Sequence, residues 1–219
     1  MHHFLARSIT STGLLVAAIF GIDCPKLSAS TLYDTFGPGL TADDGYATGC
    51  AASTCIEATP FVPAFTAQLG TVVADLGTGE TGLSPLNQYS FSIWTDVNGS
   101  PGAMLESWSV NAPGLALANF TLTSVVEPTL LSGVQYWALY SSTFPSQTNT
   151  SLDWGFDSSA PPGGVWVGPS SSSLEQTDAS FSVPALLLSG VEPVPEPGTL
   201  SYACAALVVL AGYLRRRRR

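Results

Sequence analysis

Apolar and polar residues alternate in short runs along the middle of this chain. Gln88–Thr95 reads QYSFSIWT, which sets Tyr89, Phe91 and Ile93 on one side of an extended strand and polar residues on the other. Phe120–Val126 (FTLTSVV) and Gly133–Ser141 (GVQYWALYS) repeat the pattern. Turn residues separate the runs: Asp96-Val97-Asn98-Gly99 followed by Pro101-Gly102, then Ala112-Pro113-Gly114, then Pro161-Pro162-Gly163-Gly164. Between Thr31 and Pro193 no long helical periodicity bounded by caps occurs, and no internal repeat is apparent. Short strands at this spacing predict an all-β domain, an antiparallel, jelly-roll-like β-sandwich. Its core would use Phe91, Trp94, Phe120, Tyr136, Trp137 and Phe181.

The pattern breaks at both ends. Arg7 precedes an apolar run from Gly13 to Ile22, too short to span a bilayer, and Ser28-Ala29-Ser30 supplies the small residues that signal peptidase accepts. Residues 1–30 are therefore expected to be a signal peptide with a short helix. Asp23 before Cys24 does not fit lipoprotein processing. Leu200–Leu214 (LSYACAALVVLAGYL) is uncharged and apolar, and Gly198 and Thr199 bring it to about 17 residues, the lower limit for a membrane span. Arg215, Arg216, Arg217, Arg218 and Arg219 follow; they can snorkel to the interface and act as a stop signal on the cytoplasmic side, with the body outside. The expected organisation is a signal peptide (1–30), a β-sandwich (31–190), a Pro-rich linker (191–199), a single transmembrane helix (200–214) and a cytoplasmic basic tail (215–219).

Charge narrows the chemistry. Over 219 residues the formal net charge is −9, but fourteen of the sixteen acidic residues lie between Thr31 and Pro193, a stretch with no Lys, Arg or His. Such a body repels phosphate backbones and has no cation to release their counterions, so nucleic acid is excluded as its partner. His2 and His3 are in the signal region, which leaves the body without an imidazole base, a Ser-His-Asp triad or a histidine metal ligand. The absence of lysine rules out Ser-Lys catalysis, and no cofactor is implied.

Paired carboxylates are what remains for catalysis. Asp153 and Asp157, near Trp154, are the candidates for a glycoside hydrolase, although acids on loops are usually just solvated. Asp96-Val97-Asn98-Gly99 has a fragment of calcium-loop spacing but lacks a third ligand and a distal Glu, so a hairpin turn is favoured and no metal site is expected. Cys50 and Cys55 are the candidate disulfide, enclosing Ala51–Thr54, while Cys204 reads as a small residue in an apolar helix. Among the tryptophans, Trp94 and Trp137 fall in the strand pattern and are assigned to the core; Trp154 and Trp166 are the candidate ligand aromatics, Trp154 the better of the two.

Val194-Pro195-Glu196-Pro197 precedes the apolar tail, and its two prolines keep the backbone extended for a processing enzyme to grip. A Pro-Glu-Pro motif, an apolar helix and a basic terminus, in that order, resemble the PEP-CTERM sorting signal of Gram-negative bacteria. The resemblance covers 194–219 and implies an exosortase as processing partner. It further implies a precursor held in the inner membrane, at least transiently, and a destination at the cell surface or in the extracellular matrix with exopolysaccharide. The segments FSIWTDVNGSPGAMLESWSV, FTLTSVVEPTLLSGVQYWALYSS and Val165-Trp166-Val167 resemble the choice-of-anchor R family of exported β-sandwich domains over roughly 65–183, which implies a scaffold with no catalytic residues. The resulting expectation is a non-enzymatic exported surface or matrix protein. The alternatives are a carbohydrate-binding module with exposed aromatics and, behind it, a carboxylate-dependent hydrolase.

Overall fold

A computed structural model describes residues 29–42, 44–50, 54–78, 88–111, 116–143, 150–176, 179–180 and 182–192. The signal region before Ala29, the Ala112-Pro113-Gly114 turn, Phe181, and the sorting motif with its apolar helix and arginines lie outside the described residues.

Every regular element among the described residues is a strand: β1 (Ser30–Asp34), β2 (Asp44–Cys50), β3 (Thr54–Phe61), β4 (Ala67–Thr78), β5 (Gln88–Asp96), β6 (Pro101–Val110), β7 (Ala118–Thr123), β8 (Thr129–Leu130), β9 (Tyr136–Thr143), β10 (Thr150–Phe156), β11 (Trp166–Gly168), β12 (Glu175–Gln176) and β13 (Leu186–Val191). They form two antiparallel sheets. The second runs β12-β11-β3-β9-β5-β6. The first runs β1-β13-β4-β10-β2, with β7 and β8 also on β4. Ala74 pairs with both Leu186 and Phe120, and Leu76 with both Trp154 and Ala118. A strand has only two edges, so β7 lies on the edge of β4 opposite β13 and β10. This shared use of both edges explains why β4, at twelve residues, is the longest strand and is almost continuously buried from Val72 to Thr78.

The sheets pack face to face through the alternation of their strands. On β9, Tyr136, Ala138 and Tyr140 point into a core shared with Tyr89, Phe91 and Ile93 of β5, Leu152 and Trp154 of β10, and Leu69, Val72, Ala74 and Leu76 of β4. Phe91 and Trp154 meet edge to face across the sheets, with ring centroids 5.4 Å apart, and the Tyr140 hydroxyl donates to the Gly77 carbonyl at 3.1 Å. Burying each large side chain of this set contributes about 1.5–3 kcal/mol relative to exposure. Glu57 on β3 is also fully buried, and together with burial it pushes the Tyr140 hydroxyl pKa upward.

Two local features depart from, or refine, what the pattern predicts. The strand expected over Phe120–Val126 ends at Thr123. Beyond it the backbone turns to meet Glu106 of β6, whose carboxylate accepts hydrogen bonds from the Ser124 hydroxyl (2.5 Å) and from the Val125 and Val126 amides (2.6 and 3.1 Å). Trp108 Nε1 donates to the Thr123 carbonyl at 2.8 Å, so these two side chains of the second sheet tie down the edge of the first. The Asp96–Gly99 turn signal becomes a two-residue hairpin loop between β5 and β6. Asn98 and Gly99 both have positive φ (56° and 80°), and Val97 and Ser100 exchange both backbone hydrogen bonds, as a type I′ turn requires.

Candidate functional site

Residues directly opposite one another on paired strands share a face, so register maps the outer surface of the second sheet. Met104 of β6 lies opposite Trp94 of β5, Trp94 opposite Trp137 of β9, and Trp137 opposite Pro60 of β3. Trp166 of β11 lies opposite the neighbouring Ala58. Ile56, Ala58, Trp137 and Leu139 form a second apolar cluster there, covered by the half-buried Trp94, Trp166 and Leu174. Trp137 is 1 % exposed and packs against Trp166 edge to face, with centroids 5.5 Å apart. Met104 extends the row and is 55 % exposed.

A carboxylate borders this aromatic row. Asp96 Oδ1 accepts hydrogen bonds from Trp137 Nε1 (2.7 Å) and Gln135 Nε2 (2.8 Å), while Oδ2 accepts one from the Gly99 amide (3.1 Å). Donation by Trp137, with smaller contributions from Gly99 and Gln135, holds the Asp96 carboxyl below the usual carboxylate range, so it is ionised at neutral pH. Both of its oxygens thus accept hydrogen bonds, from the hairpin and from the start of β9. Trp94 Nε1 donates to Ser92 Oγ at 2.8 Å, and the hydroxyls of Ser90 and Ser141 are linked at 2.8 Å, giving the row a serine margin.

This arrangement corrects the sequence expectation for three tryptophans. Trp94 and Trp137 are not in the core between the sheets; each follows an inward residue, Ile93 and Tyr136, and a period of two sends it to the opposite face. Trp154, expected to be a ligand aromatic, is fully buried and donates from Nε1 to the Ala185 carbonyl at 3.1 Å. Asp153, Trp154 and Gly155 all lie in β10, where Leu152, Trp154 and Phe156 alternate inward. Trp166 is on the outer face, as a ligand aromatic would need to be.

The candidate catalytic acids are not brought together. Asp153 lies in β10 and Asp157 just past its end, four residues on, so their backbones are about 13 Å apart at the usual strand rise. A glycosidase pair lies about 5–9.5 Å apart. Asp153 is half-buried, its Oδ1 has no hydrogen-bond partner, and its pKa is pushed up to about 6 by burial first and then by Asp44 and Asp75. Burial also raises Asp75. Asp157 is instead held low by hydrogen bonds from the Ser159 hydroxyl and amide. Among the described residues no three His, Cys, Asp or Glu side chains are grouped to hold a metal ion. Cys55 is fully buried and disulfide-bonded.

Comparison with known proteins matches residues 193–219 to the PEP-CTERM protein-sorting motif. No curated protein matches the chain. Among solved structures, that of the infectious bursal disease virus Gx strain aligns at 12 % identity and a TM-score of 0.25, over 80 % of this chain and only 38 % of that one, too loosely to inform fold or function. The resemblance of the body to choice-of-anchor R domains finds no support in these matches. The chain carries at its C-terminus a PEP-CTERM sorting motif, the mark of an exported protein targeted to exosortase.

Proposed function

We propose that this is a non-enzymatic surface or matrix protein, exported behind its signal peptide and held in the inner membrane by Leu200–Leu214, with Arg215–Arg219 inside. Exosortase then recognises Val194-Pro195-Glu196-Pro197 and releases the β-sandwich to the cell surface or exopolysaccharide layer. The match over 193–219 carries this reading. A body without His, Lys or Arg, and with Asp153 and Asp157 far apart, supports its non-enzymatic part. Cys50, at the end of β2, is the proposed partner of Cys55, closing the short connection between the two sheets. The test is intact mass of the mature protein from hosts with and without exosortase. Loss of the residues beyond Pro-Glu-Pro only when exosortase is present is the expected result; an arginine tail retained in both hosts would leave a plain membrane anchor.

A second reading, a carbohydrate-binding module, is favoured by one observation. Trp94, Trp137 and Trp166 share the outer face of the second sheet beside an ionised Asp96 and a margin of serines, the mixture of flat apolar rings and fixed polar groups that suits sugars.

A further inference from the structure

We propose that the outer face of the second sheet binds a polysaccharide bearing free amino groups, a hexosamine polymer with unacetylated residues, laid across β5, β9, β3 and β11. The inference rests on the carbohydrate-binding reading and narrows it to one charge class. The first argument is shape. The backbones of Trp94 and Trp166 lie three strand spacings apart, about 14 Å across the sheet, on strands that flank Trp137, a surface that takes an oligosaccharide rather than a single sugar. Trp137, buried between them, forms the floor, and its contact with Trp166 together with the Trp94–Ser92 hydrogen bond holds the flanking rings in place before any ligand arrives.

The second argument is charge complementarity. Asp96 abuts the row through its bond to Trp137, and its three accepted hydrogen bonds leave lone-pair capacity on Oδ2, which receives only the Gly99 amide. The surrounding stretch from Thr31 to Pro193 carries fourteen acids and no base. An acidic polysaccharide is repelled by that field, and a neutral one gains nothing from it. An ammonium group gains three ways: from the field, from a charge-assisted hydrogen bond to Asp96, and from the indole faces of Trp94 and Trp166. The exposed Ser107, opposite Ser92, adds a hydroxyl partner at the margin.

The experiment titrates the exported protein with chitosan oligosaccharides, with their fully N-acetylated counterparts and with alginate fragments, read by calorimetry and tryptophan fluorescence. The expected order is chitosan first, the acetylated oligomer weaker, alginate unbound. Trp166→Ala and Asp96→Asn should each weaken chitosan binding by roughly tenfold, equivalent to one lost stacking or ionic contact. Glu192→Gln, which removes the same charge just beyond β13 of the other sheet, should leave it unchanged. Near-UV circular dichroism checks the fold, and Trp166→Phe, which keeps the packing, should give an intermediate loss. Equal affinity for both oligomers with no effect of Asp96→Asn would overturn the amine preference while leaving carbohydrate binding intact. Binding of no oligosaccharide would overturn both. Chitosan binding indifferent to Trp166→Ala but weakened equally by Asp96→Asn and Glu192→Gln would reduce the effect to general polyelectrolyte attraction and overturn the site.

Discussion

Asp153→Asn should stabilise the protein at neutral pH and flatten its response to acid. Asp153 projects from β10 over Gly45, where an added Cβ would come within 2.2 Å of its Oδ1 and 2.9 Å of the Leu117 side chain, so the carboxylate sits in a tight, partly apolar seat. Burial, Asp44 and Asp75 raise its pKa to about 6, against about 3.9 in an unfolded chain. The folded state therefore holds this proton between roughly pH 4 and 6 while the unfolded chain has released it. The stabilisation is complete below about pH 4 and lost as pH rises through about 6. Taken in full the gap is worth about 3 kcal/mol; because the group is only half-buried, solvent screening reduces this to about 1–2 kcal/mol. Asp75, also raised, acts in the same direction, whereas the lowered Asp96 and Asp157 lose their contribution only below about pH 4. Urea denaturation at pH 4.5 and 7 measures the effect. The native protein should be more stable at pH 4.5 by about 1–2 kcal/mol, and Asp153→Asn should recover most of that difference at pH 7. Equal stability of the native protein at the two pH values, or a variant that keeps the native slope, would refute the reasoning.

Other expectations can be read from single substitutions. Glu106→Ala removes the acceptor for Ser124, Val125 and Val126 and should cost about 2–4 kcal/mol in denaturant unfolding, with faster proteolysis at 124–128 as the local signature. Trp154→Ala should cost about 3–5 kcal/mol through the cavity left in the core and should leave any ligand affinity of the folded protein unchanged. Asn98→Ala should cost about 1 kcal/mol because of its φ of 56°, and Asn98→Gly should be close to neutral. Cys55→Ala should lower stability by about 1–3 kcal/mol, and the native protein should resist thiol alkylation at Cys55 until it is reduced.

How far the candidate site could be read in advance is clearest at the tryptophans. Counting from Phe91 and Ile93, strict alternation sends Trp94 outward, and the same count separates Trp137 from Tyr136; in the strings QYSFSIWT and QYWALYS this count runs against the general tendency of aromatics to be buried. For Trp166 and Trp137 no such count exists, because their contact depends on β11 pairing with β3, more than a hundred residues away in the chain. Asp96 announced a turn through Asn98-Gly99, but its bond to Trp137 required β9 to lie beside β5. Glu106 gave no local signal at all: it is one acid in an alternating strand, and only the approach of the chain after Thr123 turns it into a tie between sheets.

The amino-acid sequence alone determined the properties that depend on short windows and on composition. A period of two between turn residues specifies strands wherever the chain folds, an acid-only body sets the sign of its field, and Pro-Glu-Pro, apolar run and arginines are contiguous, so the sorting motif is complete within 27 residues. Tertiary structure decided which faces meet. Strand order and register are set by contacts among residues far apart in sequence, so only the packed sheets could bring Trp166 of β11 beside Trp94 and Trp137 on one outer face, and leave Asp153 in a seat too dry to hold its charge comfortably.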